Sequence, residues 1–377
     1  MYIPKQVVLK IPLRPILITF VVAVVAVTGW LLVSRIHLAR ANTEIAQIKA
    51  TTDLKVQTEL YKKLMIREGA VQAQEDLYHS GLPFTGQTHL LNHEAGEWLY
   101  ETYGAAGLSQ CKEYFLASCY HGFVLDAIGD GGMPKVAEVM DACRKNGPAV
   151  FAQCTHAVGH GFLAFKDYKD LVGALKLCDE MQKTITDMPS FSCYDGVFME
   201  NIWGVHDDGK PSPYRWVKDN DPLYPCDDKR IDPKYLLGCW SNQPSLMFQQ
   251  SRGDLAKVGQ ECLAVKQTDL QKMCFNGLSR QINPLTDGSA AKVFQLCNFL
   301  PTPWNNYCVT INANAYYSVG DRVVPFEICN QATEPTRTDC YNNLAGIIKY
   351  SSKTPAEAQS LCKKIEDPTW QSRCLSQ

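Results

Sequence analysis

Beyond its N-terminal segment the chain repeats one pattern to its end: a short apolar run with helical spacing, a polar turn, then a second helical run. Val172–Cys178 (VGALKLC), Ala291–Cys297 (AKVFQLC) and Ala356–Cys362 (AEAQSLC) each put their apolar side chains on one helix face and close on a cysteine. A polar loop follows, and then a proline four to six residues ahead of another cysteine: Pro148, Pro189, Pro233, Pro303, Pro335 and Pro368. Asp232, Thr302, Glu334 and Asp367 precede four of these prolines. A capping side chain followed by proline suits the first helical turn, where the missing N–H has no partner to lose. An aromatic commonly follows the second cysteine (Tyr120, Tyr194, Trp240, Phe275, Tyr341), and a glycine or asparagine stands two or three residues past it (Gly122, Gly196, Asn276, Asn342). Small residues there let neighbouring helices approach closely.

The cysteines fall into eight pairs: Cys111/Cys119, Cys143/Cys154, Cys178/Cys193, Cys226/Cys239, Cys262/Cys274, Cys297/Cys308, Cys329/Cys340 and Cys362/Cys374. Their second members advance in steps of 35, 39, 46, 35, 34, 32 and 34 residues. A near-fixed period of this size marks a solenoid of helical hairpins. The expected fold is therefore all-α, with about eight to nine repeats of ~34 residues over 81–377. Each repeat reads as helix, turn, helix, with a disulfide across its own turn. Zinc knuckles need much closer cysteine pairs than these. In its period and paired cysteines the chain resembles disulfide-bonded helical-repeat proteins of the Sel1-like type. The resemblance is one of architecture; it implies stacked hairpins and carries over no residue and no activity.

Ile16–Val33 is uncharged and lies between Arg14 and Arg35. Its length can cross a bilayer core and exceeds a usual secretory apolar core. The expected order is a cytoplasmic tail over 1–14, a membrane anchor over 15–34, a helical stem over 35–80 and an extracytoplasmic repeat domain over 81–377. Ala39-Arg40-Ala41 resembles a cleavage site, so a cleaved signal is the alternative. Lys5, Lys10 and Arg14 before the apolar run favour an inside N-terminus. Sixteen paired cysteines point the same way, because they need an oxidising compartment, periplasmic or at the cell surface. Residues 42–78 carry only a thin apolar stripe (Ile45, Ile48, Val56, Leu60, Leu64), which reads as a polar spacer or a short coiled coil. Between Cys193 and Cys239 an insertion rich in Asp, Pro and aromatics reads as a surface loop.

A formal net charge of −2 lacks the basic excess of a nucleic-acid binder. No phosphate loop, dinucleotide fingerprint or nucleophile elbow occurs. The candidate chemistry lies in the histidines. Of eight, five share one register. His121 and His156 stand two residues past a cysteine, and His160 stands six past. Thr88–His93 repeats the T-H-x-x-x-H of Thr155–His160, which puts His89 and His93 in the same register of a cysteine-free hairpin. Residues i and i+4 share a helix face, so His89/His93 and His156/His160 can each chelate a cation. The expected metal ligands are His89, His93, His121, His156 and His160, with Glu97, Asp195 or Glu200 as carboxylate ligand, base or partner, and Asp126 and Asp130 nearby. Such a set suits zinc first, then copper or iron. The readings are a membrane-anchored metal-binding repeat protein with a groove for a peptide or protein, a metal-dependent hydrolase on the same histidines, and a metal-free adaptor.

Overall fold

A computed structural model describes residues 43–83, 85–187, 190–204, 211–352 and 354–376. The expected tail and membrane anchor lie outside the described residues. Among the described residues no helix is long and apolar enough to cross a membrane.

The described chain is mainly helical, built as hairpins. The first pairs α1 (43–50) with α2 (Leu54–Glu68), and the second pairs α3 (Ala70–His79) with α4 (Gly86–Tyr103). A 3-10 helix (Gly104–Gln110) then leads into α5 (Tyr114–Gly131). The next hairpins are α6 (Met133–Lys145) with α7 (Pro148–Phe165), and α8 (Leu171–Thr184) with α9 (Ser190–Trp203). The insertion precedes α10 (Leu236–Gln250). Then come α11 (Leu255–Leu263) with α12 (Thr268–Arg280), α13 (Ala290–Cys297) with α14 (Trp304–Ser318), α15 (Val324–Gln331) with α16 (Thr336–Ser351), and α17 (Pro355–Cys362) with α18 (Pro368–Ser376).

The second helices form one continuous stack in the order α2, α4, α5, α7, α9, α10, α12, α14, α16, α18, and the first helices pack along it. All eight disulfides join the two sides of a single repeat, as the pairing of cysteines predicts, with Cα atoms 5.4–6.4 Å apart. Each closes a loop of 8 to 15 residues, so each contributes about 2–3 kcal/mol on the chain-entropy account. Helix starts are fixed locally. Asp170, Asp254, Ser289 and Thr354 each accept a bond from the backbone N–H three residues on. Pro148 occupies the first turn of α7 as expected, whereas Pro303 and Pro335 stand one step earlier, at the caps of α14 and α16.

The expected stem is different from residue 43 onward. Instead of a free spacer, residues 43–79 are one further hairpin of the stack and the first helix of the next. Ile48, Tyr61, Leu64, Met65, Ala73 and Leu77 are fully buried in the same core as the repeats. Tyr61 donates to Asn92 Oδ1 at 2.9 Å, tying α2 to α4. The thin apolar stripe is the reason for both readings: a solenoid helix needs to bury only one narrow face. Val56, counted in that stripe, is exposed.

The insertion is anchored in its described part. Gln243 of α10 donates to the carbonyls of Pro222 and Tyr224, and Asn201 of α9 exchanges two bonds with the backbone of Trp216. Arg230 and Lys218 lie over the rings of Trp216 and Tyr224. His206, Asp207 and Asp208 fall outside the described residues.

Candidate metal centre

The five histidines project from three consecutive second helices: His89 and His93 from α4, His121 from α5, His156 and His160 from α7. Helices packed side by side usually sit about 8–10 Å apart, too far to share an ion through more than a few side chains. Glycines close the gap here. A Cβ at Gly122 would stand 2.1 Å from the His93 carbonyl oxygen, and one at Gly96 2.0 Å from that of Cys119. The α7–α9 junction repeats the device, with Gly159 against Cys193 and Gly196 against His156. Between α5 and α7 the close approach is at Gly161, where a Cβ would stand 2.5 Å from Ile128 Cβ, so the imidazoles of α4, α5 and α7 converge. His89, His93 and His121 each offer a ligand atom within 4.8 Å of the others, and so do His121, His156 and His160. All five expected ligands are thus brought together, in two groups that share His121.

The ring nitrogens are oriented by their outer partners. His89 Nδ1 lies 2.7 Å from the carbonyl oxygen of Phe115. A carbonyl only accepts, so Nδ1 carries the proton and Nε2 presents a lone pair inward. His160 Nδ1 donates to Glu200 Oε2 at 2.7 Å, and His156 Nδ1 lies 3.3 Å from Asp195 Oδ2. Their Nε2 atoms face each other at 3.0 Å. Two nitrogens on a tetrahedral ion with bonds of about 2.0–2.1 Å sit roughly 3.3 Å apart. The His121 Nδ1 to His89 Nε2 separation, 3.2 Å, is of the same size. His93 Nε2 is buried without a hydrogen-bond partner.

Burial favours the neutral form of four of these rings, those of His89, His93, His121 and His160. It holds His89 down to about 4, with His156 and His160 adding to the effect and the Phe115 carbonyl opposing it. Burial likewise pushes His93 and His121 well below the usual imidazole range, with neighbouring histidines adding to it. His160 is also lowered by burial, against the pull of Glu200. Neutral imidazole is the form that binds metal.

Asp195 and Glu200 act behind the histidines, outside both triads. Burial alone would raise the Asp195 carboxyl, but His156, Arg280 and Ser241 together hold it below the usual range. Asn242 also donates to it at 2.8 Å. Glu200 accepts from His160 and from the Tyr168 hydroxyl, both at 2.7 Å. Carboxylates in this position fix ring orientation and raise ligand basicity. Glu97 does not join the cluster. Burial, and then Glu94 and Asp126, push its carboxyl well above the usual range. Asp126 is pushed up to about 6 by burial, then by Glu101 and Asp130. This acidic group is separate from the histidines.

Two parts of the site have no counterpart in the sequence reading. One is the Phe115 carbonyl, presented by a left-handed turn in which Phe115, Leu116 and Ala117 have φ of 51°, 58° and 58°. The other is Tyr168, which follows α7 at φ 62° and reaches back to Glu200.

Protein family models, curated proteins and solved structures give no match to this chain.

Proposed function

We propose that this is a membrane-anchored, extracytoplasmic helical-repeat protein that holds a transition metal, zinc first and copper or iron next, at His89, His93, His121, His156 and His160. The observation that carries the reading is the His156–His160 pair. Both Nδ1 atoms are engaged by carboxylates, and the two Nε2 atoms oppose each other at 3.0 Å. With both ring protons on Nδ1, toward the carboxylates, the two Nε2 lone pairs repel at that distance unless a cation lies between them or one ring is protonated, and burial disfavours protonation of His160. Eight disulfides require an oxidising compartment, which fits an anchor over 15–34 with the bulk of the chain outside the cytosol. The inner faces of the later second helices, free of histidine, supply the surface for a peptide or protein partner.

A metal-dependent hydrolase is the second reading. Each triad supplies three imidazoles and no carboxylate, which leaves a coordination position for water or substrate. Asp195 and Glu200 already accept bonds from the ligands, so this reading needs a base from elsewhere or from the substrate. Elemental analysis of the gently purified full chain tests both. Retained zinc, copper or iron, lost when His156 and His160 are both replaced by alanine, supports them. A metal-free protein that takes up neither zinc nor copper leaves only the scaffold.

A further inference from the structure

His121 stands between the two triads and belongs to both. Its Nδ1 lies 3.2 Å from His89 Nε2 on α4, and its Nε2 lies 3.3 Å from Gln153 Oε1 on α7, a turn ahead of His156. The two nitrogens of one ring point apart, so they cannot both serve one ion. A single ion also leaves the cluster unbalanced wherever it is placed. On His89, His93 and His121 it leaves the His156 and His160 lone pairs opposed at 3.0 Å. On His121, His156 and His160 it leaves His93 Nε2 buried without a partner.

We propose that the cluster takes two transition-metal ions, one in each triad, bridged by the His121 ring. The bridge rests on the metal reading above and extends it to a dinuclear centre. His89 Nε2, His93 and His121 Nδ1 hold one ion; His121 Nε2, His156 Nε2 and His160 Nε2 hold the other. A neutral imidazole has one N–H, so binding of the second ion forms the second metal–nitrogen bond and releases that proton to solvent water. No oxidation state changes. Gln153, on the exposed side of α7, yields its contact with His121 to the second ion. The open positions of the two ions then lie on opposite sides of one rigid ring. That arrangement suits one small bridging anion less than two separate ligand groups.

The test is a Cu2+ titration of the metal-stripped full chain in detergent, with bound copper counted after desalting and its electron paramagnetic resonance recorded at each point. The expected result is saturation at two equivalents, with the signal per copper falling between the first equivalent and the second as the bridged ions couple. His160→Ala should then bind one equivalent with a full signal. His121→Ala, checked for native helicity by circular dichroism, should lose the coupling whatever it binds. If His121→Ala fails to fold, His93→Ala serves in its place and should bind one uncoupled copper. Saturation of the unaltered chain at one equivalent, or at two with full uncoupled signals, overturns the bridge and leaves the metal reading standing. No copper bound at all overturns both.

Discussion

The carboxylate support behind His156 and His160 depends on backbone contact between α7 and α9, so a single methyl group at that junction should undo it. In Gly196→Ala the new Cβ would stand 2.0 Å from the His156 carbonyl oxygen and 3.3 Å from Gly159 Cα. Ordinary contact begins at 3.4 Å, so the two helices must part by about 1.4 Å. Neither contacting atom belongs to a flexible side chain that can swing away. The His160–Glu200 bond at 2.7 Å and the His156–Asp195 contact at 3.3 Å span the same junction. A parting of that size takes both beyond hydrogen-bonding range. Overpacking of this kind costs about 1–3 kcal/mol, and loss of the outer partners of a metal-bound histidine costs roughly 10–100-fold in metal affinity. Gly346→Ala is the matched control. It lies in α16, a second helix of the same stack, and its Cβ would meet nothing within 4 Å. There the substitution should stabilise by about 0.5–1 kcal/mol through helix propensity. Thermal melts under non-reducing conditions and chelator competition for zinc read both effects. Equal melting temperatures and equal zinc affinities in the two variants would refute the close-packing account.

Architecture was legible in the sequence because covalent chemistry marked it. Each cysteine pair flags one turn, and the apolar runs between them carry the helix period, so the stack and its eight bonds could be written down residue by residue. The two rungs before the first cysteine carry no such flag, and their narrow apolar face looks the same on a free amphipathic helix as on a packed one; Tyr61 and Met65 are core because α2 packs against α3 and α4. In the site, the i, i+4 spacing exposed the ligands, and the shared register placed them on one side of the stack. Helices two apart do not meet in one group: α4 and α7 each meet α5 at His121, and glycine-to-carbonyl packing at Gly96 and Gly122 brings α4 and α5 into backbone contact. Carboxylates were harder to assign. A sequence gives no direction for Glu97, which one turn past His93 looked like a third ligand and instead faces Glu94 and Asp126. The Phe115 carbonyl depends on backbone dihedrals that no residue type there favours.

Replacing Glu200 with glutamine should keep the fold and weaken zinc binding by roughly 10–100-fold, because the charged acceptor behind His160 is lost; chelator competition measures it, and an unchanged affinity would count against the orienting role. Glu97→Gln should leave metal content unchanged and keep or slightly raise stability, since the carboxyl is already pushed toward its neutral form by burial; loss of metal in this variant would return Glu97 to the ligand set. The metal-stripped protein should also weaken in acid. With His89 held down to about 4 against a reference near 6.5, the unfolded chain binds the proton more readily, so this stabilisation is present above about pH 6.5 and is lost as the pH falls toward 4. The full span corresponds to about 3 kcal/mol for His89 alone. Asp126, pushed up to about 6, works in the opposite sense over an overlapping range, so the raw stability curve mixes the two. The difference between the unaltered protein and His89→Gln isolates the histidine, because Asp126 is common to both. Urea unfolding of the two metal-free proteins from pH 7.5 down to pH 5 should therefore show the unaltered chain losing stability relative to the variant. A difference that stays constant with pH would mean that the His89 ring titrates normally in the fold, and that its Nε2 is not a lone pair held ready for metal by burial.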